Sequence, residues 1–156
     1  MWMPKIYKDK ELSTVPNNIY VDTNIIIDIC DDTREFHKKS LSLITKLQKE
    51  GNEIFINSDT YANLFYIMRS RSKYDLSTTL AKMRLITTIF TLVLIEQSDI
   101  EKALQLCEDK ELENRDYEDA MQYICAKKCE AIMIVTNDKG FISGDIEVVG
   151  SFDEHM

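Results

Sequence analysis

Short apolar runs of β-branched and aromatic residues alternate along this chain with longer stretches of helical spacing. Ile19-Tyr20-Val21 is closed by Asp22-Thr23-Asn24, which predicts a short buried strand with polar residues at its C-terminal end. Ile25–Cys30 is apolar except for Asp28 and starts a helix. Over Glu35–Glu50, Phe36, Leu41, Leu43, Ile44 and Leu47 stand among lysines as in an amphipathic helix, and Gly51 stops it. Glu53–Asn57, around Ile54, Phe55 and Ile56, predicts a second strand. Ser58 or Asp59 then caps a helix carrying Leu64, Phe65, Ile67 and Met68. Further on, Leu76–Phe90 predicts a helix, Leu92–Ile95 a third strand, and Asp99–Lys110 and Asn114–Lys128 two more helices. Ala131–Val135 and Ile146–Val149 complete the set as a fourth and a fifth strand.

Strands separated by crossover helices indicate an α/β fold. The expected architecture is a three-layer α/β/α sandwich with a mostly parallel sheet of four to five strands. The length of 156 residues fits one domain over 1–156, with residues 1–17 a polar lead-in. In such sheets the ligand site lies beyond the C-terminal ends of the strands, where the strand order reverses.

Composition narrows the class. With 44% hydrophobic and 29% charged residues, disorder over most of the chain is excluded. Only 4 glycines and 2 prolines argue against a turn-rich sandwich or barrel. A net charge of −8 disfavours a general basic surface for nucleic acid, although a metal could still bring a polyanion to an acidic site. The apolar runs are too short for a bilayer, and no secretory signal is visible. Cys30, Cys107, Cys125 and Cys129 include no CxxC pair, and His37 and His155 are isolated. The chain is expected to be a cytoplasmic protein with reduced thiols, no zinc site and no membrane partner.

Four acids fall where the sheet rule places chemistry. Asp22 follows the first strand, and Asp138 stands three residues after Val135. Asp116 and Asp119 lie at the front of the helix leading into the fourth strand; at about 100° per residue they share a face. Two carboxylates about 4 Å apart repel by roughly 4 kcal/mol at an effective dielectric near 20, so protons or cations must neutralise the group. Oxygen-only ligands suit Mg²⁺ or Mn²⁺, and the chemistry indicated is metal-assisted phosphodiester hydrolysis. Each acid also has a plainer use: Asp22 and Asp116 as helix caps, Asp119 as a first-turn acid, Asp138 as a turn residue.

The ordered set Ile19-Tyr20-Val21-Asp22-Thr23-Asn24, Asp116-Tyr117-Glu118-Asp119-Ala120-Met121-Gln122-Tyr123 and Ile134-Val135-Thr136-Asn137-Asp138-Lys139-Gly140-Phe141 resembles a PIN domain. It looks most like the bacterial members related to VapC-type toxin ribonucleases, over residues 18–153. The resemblance implies a Mg²⁺- or Mn²⁺-dependent endoribonuclease, in some members the toxin of a toxin–antitoxin pair. Asp22, Asp119 and Asp138 match the metal-holding acids, Asp116 an additional acid, and Thr136 and Asn137 polar residues that support the site. The chain departs from the pattern at Asn63, where many members have Glu, and at Gly140, where many have Asp. Asn63 offers an oxygen without charge, so weaker metal binding is expected, and an inactive PIN-fold module that binds RNA or protein stands as the alternative.

For an RNA substrate, Arg69 and Arg71 are the expected phosphate contacts, with Lys38-Lys39 and Lys127-Lys128 as smaller basic groups; each could equally be a solvated helix end. The resemblance further implies a homodimer and a small antitoxin protein. Tyr61, Phe65, Tyr66 and Met68 fit either a groove for the antitoxin or packing in the core or dimer. A phosphoacceptor receiver domain lacks its middle-strand Asp here, and a dinucleotide-binding fold lacks GxGxxG.

Overall fold

The computed structural model describes residues 16–109, 116–141 and 143–153. The lead-in up to residue 15, the expected helix start at Asn114, the expected helix end at Lys110, and His155 lie outside the described residues.

Five strands form one sheet: β1 (Asn18–Val21), β2 (Glu53–Asn57), β3 (Thr91–Val93), β4 (Met133–Val135) and β5 (Glu147–Val149). Their order is β3-β2-β1-β4-β5, and every pairing is parallel. Among the described residues six helices connect or cover them: α1 (Thr23–Cys30), α2 (His37–Lys49), α3 (Asp59–Ser70), α4 (Leu76–Ile89), α5 (Gln97–Glu108) and α6 (Tyr117–Lys128). β1 is central and covered on both faces, which is why it reads as a continuous apolar run rather than an alternating one. Ile19 and Val21 pack with Ile25, Leu43, Leu64, Met68 and Ile86 from α1–α4. Tyr20 faces the other way, with Ala103, Ala120, Met121 and Cys125 from α5 and α6.

Boundaries moved where a side chain bonds the backbone. α1 starts at Thr23, because Asp22 caps it. α3 receives no side-chain cap from Ser58; instead the side-chain Oδ1 of Asn57 accepts from the Thr60 N–H at 3.1 Å. α5 begins at Gln97 rather than Asp99, since Glu96 and Asp99 close a reciprocal capping box. The expected strand end Leu94-Ile95 is therefore outside β3 and leads into that cap.

The chain runs from β1 to β2 on one side of β1, whereas β4 joins it on the other. The crevice at the C-terminal ends of β1 and β4 is thus the switch point of the sheet. There the Asp22 N–H donates to the Val135 carbonyl at 2.9 Å, fixing Asp22 beside the end of β4.

Candidate active site

Asp22, Thr23, Asn24, Asn63, Asp116, Glu118, Asp119 and Asp138 line one cavity of about 320 Å³ at this switch point, with Ile27 and Ile67 as its apolar edge. Five elements supply the groups: the β1 end, the first turn of α1, the middle of α3, the front of α6 and the loop after β4. Asp22 is only 4% exposed. Its Oδ1 accepts from the Thr23 N–H at 2.7 Å, and its Oδ2 accepts from Thr136 Oγ1 at 2.7 Å and Asn24 Nδ2 at 3.1 Å. The Thr136 hydroxyl also accepts from the Asp138 N–H at 3.0 Å, so one side chain ties two of the acids together.

The plainer uses of the acids are present as well, and they do not compete with the cavity. Asp116 caps α6, with its Oδ1 accepting from the Asp119 N–H at 2.8 Å. Asp138 closes a turn, accepting from the Gly140 N–H at 2.9 Å. Each of these bonds occupies one oxygen and holds the carboxyl in place.

Burial, with crowding added to it, disfavours the charged forms of these acids. Burial pushes Asp119 up to about 7, reinforced by Asp116, Asp138, Asp22 and Glu118. Burial likewise raises Asp22 to about 6, against the lowering effect of the bonds from Thr136 and Thr23. Glu118 is raised by burial and by the charges of Asp116 and Asp59. The donor set contains oxygen and no sulfur or imidazole nitrogen, which fits a hard cation such as Mg²⁺ or Mn²⁺. Among the described residues no three His, Cys, Asp or Glu side chains stand close enough together to hold a metal ion as they are placed.

Glu118 was missed by the sequence reasoning. Its signal was its place in the first turn of α6, between two acids already singled out. Asn137 does not line the acidic cavity. Its Nδ2 donates to buried Asp28 at 2.7 Å and its Oδ1 accepts from Ser151, which braces the loop carrying Asp138. Asp28, the one charge in the apolar run of α1, is also paired with Arg34 at 2.7 Å. Arg69 and Arg71 lie outside the cavity lining. Arg69 donates to the Tyr74 carbonyl, whereas Arg71 continues the α3 face of Asn63 and Ile67. The aromatic stripe divides: Met68 is core, Tyr61 packs against it, and Phe65 and Tyr66 are exposed.

Beneath the site lies a buried polar network. The Gln122 carbonyl oxygen accepts from the Tyr20 hydroxyl and from Asn57 Nδ2, and its Nε2 donates to Thr23 Oγ1 at 2.9 Å. These bonds join β1, β2, α1 and α6 behind the acids. Gln122→Leu strands several buried polar groups, and we expect a loss of about 3 kcal/mol, or roughly 6–12 °C in melting temperature. Thermal unfolding followed by circular dichroism checks this; a drop of less than about 2 °C would show that the network contributes little.

A sequence profile of the PIN domain matches residues 19–154. Ribonuclease VapC1 of Aquifex aeolicus is 35% identical over 132 residues, covering 84% of this chain and 88% of that protein. Among solved structures, VapBC2 of Rickettsia felis, bound to a DNA fragment from its promoter, superposes with a TM-score of 0.62 at 19% identity, covering 85% of this chain and 98% of that one. VapC20 of Mycobacterium tuberculosis, a toxin that cleaves the sarcin-ricin loop, gives 0.64 at 13% identity, covering 80% and 96%. No helix among the described residues is long and apolar enough to cross a membrane.

Proposed function

The chain belongs to the PIN domain family, and from that premise we propose that it is a Mg²⁺- or Mn²⁺-dependent endoribonuclease working at the acidic cavity. The observation that carries this reading is the convergence of Asp22, Asp116, Asp119 and Asp138 on one oxygen-lined cavity at the switch point. The proposed metal holders are Asp22, Asp119 and Asp138, with Asp116 and Glu118 adding negative charge and Asn63 offering its carbonyl oxygen to a metal-bound water. A divalent cation bound there would supply charge neutralisation for the phosphate and a polarised water held for attack. Thr136 orients Asp22 and the backbone of Asp138, Asn24 orients Asp22, and Asn137 braces the loop that follows β4. Arg71, in line with Asn63 and Ile67, is a phosphate contact on the α3 rim, and Arg69 a weaker one. The VapBC neighbours support a small antitoxin protein as partner, and we propose a homodimer as the working unit.

The inactive-module reading rests on Asn63 alone. It is separated by Asn63→Glu, which places a further carboxylate on the cavity wall. For a metal-dependent nuclease we expect the Mn²⁺ concentration at half-maximal cleavage to fall by about tenfold, the effect of roughly 1.4 kcal/mol in metal binding. If both the wild type and Asn63→Glu bind RNA and neither cuts it at any metal concentration, the inactive module is the better account.

A further inference from the structure

The helix α2 is charged with one sign. From His37 to Lys49 it carries Lys38, Lys39, Lys46 and Lys49 and no acidic residue, in a chain whose net charge is −8. Lys38 and Lys39 are exposed, and no ion pair engages either of them among the described residues. The other lysine pair is consumed: Lys127 bonds Asp145, and Lys128 bonds Glu96 and Asp99. Lys38, Lys39 and Lys46 line one surface cavity with Asp153, three positive charges beside one negative, and such a local field attracts a polyanion.

That face is connected to the acidic cavity. Asn24 lines both the acidic cavity and a neighbouring one of about 470 Å³, which also includes Arg34 with its partner Asp28, Glu35, Phe36 and Asn137. Phe36 packs on Phe152 with ring centroids 6.0 Å apart. Phe152 in turn lines a third cavity of about 350 Å³ with Lys38, Lys39, Lys46 and Ser151. Lys139, next in sequence to Asp138, sits 4.8 Å above the Phe152 ring and carries positive charge across the gap. Gly150 seats that ring: a Cβ there would lie 2.5 Å from Phe152 Cε1. Exposed apolar side chains that a protein partner would bury are denser on α3 and α4, with Phe65, Tyr66, Leu76, Leu80 and Leu85, whereas α2 carries Leu41.

We propose that the lysine face of α2 is the docking track for the phosphate backbone of a single-stranded RNA whose scissile bond lies in the acidic cavity. Lys38, Lys39 and Lys46 contact successive phosphates, and Lys139 bridges the track to the site. The contacts are to phosphate, so they set affinity and register without reading base sequence. This inference rests on the ribonuclease reading.

The test is the salt dependence of binding of a labelled oligouridylate to the Asp22→Asn protein, with and without Lys38→Gln, Lys39→Gln and Lys46→Gln together. Lys73→Gln, Arg84→Gln and Lys102→Gln form a control of equal charge change. Losing three contacts to a single strand should flatten the slope of log affinity against log salt by about 2 and weaken binding by roughly 100-fold near 0.1 M salt. The control should keep the steep slope. Should the triple variant fold poorly by circular dichroism, Lys38→Gln alone should remove about 0.7 of the slope. Equal slopes for parent and α2 variant overturn the track, as does an α2 variant that loses affinity for polyglutamate but not for RNA. Cleavage by the protein with Asp22 intact separates the two readings. If RNA is cut and the slopes are equal, the track fails and the ribonuclease stands. If the slope falls as expected but no RNA is cut, the lysine face binds RNA but the ribonuclease reading fails, and with it the scissile bond placed in the cavity.

Discussion

Asp22→Asn is expected to reduce RNA cleavage by at least about 10³-fold, because an amide in that place cannot neutralise a cation at the centre of the cavity. Asp22 is the most buried acid of the cavity and the one most fully held, by Thr23, Asn24 and Thr136. The same substitution should leave the melting temperature at neutral pH unchanged or slightly raised. Burial lifts the Asp22 carboxyl to about 6, so its ionised form burdens the metal-free fold, and asparagine removes that burden. Single-turnover cleavage and thermal unfolding on the same preparation check both halves. Cleavage retained within about tenfold would remove Asp22 from the site.

Metal binding should depend steeply on pH. Asp119 at about 7 and Asp22 at about 6 must both lose protons to hold a cation. Between pH 8 and pH 5 the apparent Mn²⁺ affinity is therefore expected to fall by about 10³-fold. The effect on the metal-free fold has the opposite sense. Both carboxyls are raised above their ordinary value of 3.8, so the folded state binds more protons than the unfolded chain. The contribution of these groups to stability is therefore full below about pH 4 and is lost as pH rises through about 6 to 7. Added Mn²⁺ should raise the melting temperature much more at pH 8 than at pH 5. A shift of equal size at both pH values would show that the cation binds elsewhere.

Strand positions were legible because a central parallel strand leaves a compact apolar signature, as Ile19-Tyr20-Val21 and Ile54-Phe55-Ile56 do. Asp22 and Asp138 could be placed from the same logic, since each follows a strand that ends at the switch point. Element ends were less legible. Asn57, rather than Ser58 or Asp59, caps α3, and Glu96 with Asp99 starts α5 two residues early. Such choices depend on which side chain reaches a free N–H in space. Glu118 escaped notice because its contribution comes from how α6 is rotated against β1, which spacing alone does not give. Basic residues were the least legible of all. Arg69-Ser70-Arg71 is the denser motif in sequence, yet Arg69 is turned to the Tyr74 carbonyl. Lys38, Lys39 and Lys46 are spread over two turns and meet only on the folded face of α2.

The central claim, that the acidic cavity is a metal-dependent ribonuclease site, is tested most directly by one titration. Metal-stripped wild-type protein is titrated with Mn²⁺ at pH 8 in a calorimeter, and RNA cleavage is followed at each point. The account predicts saturable binding, no cleavage before metal is added, and cleavage that rises with the same midpoint as binding. Cleavage at full rate in chelator, or no binding at millimolar Mn²⁺, would contradict it.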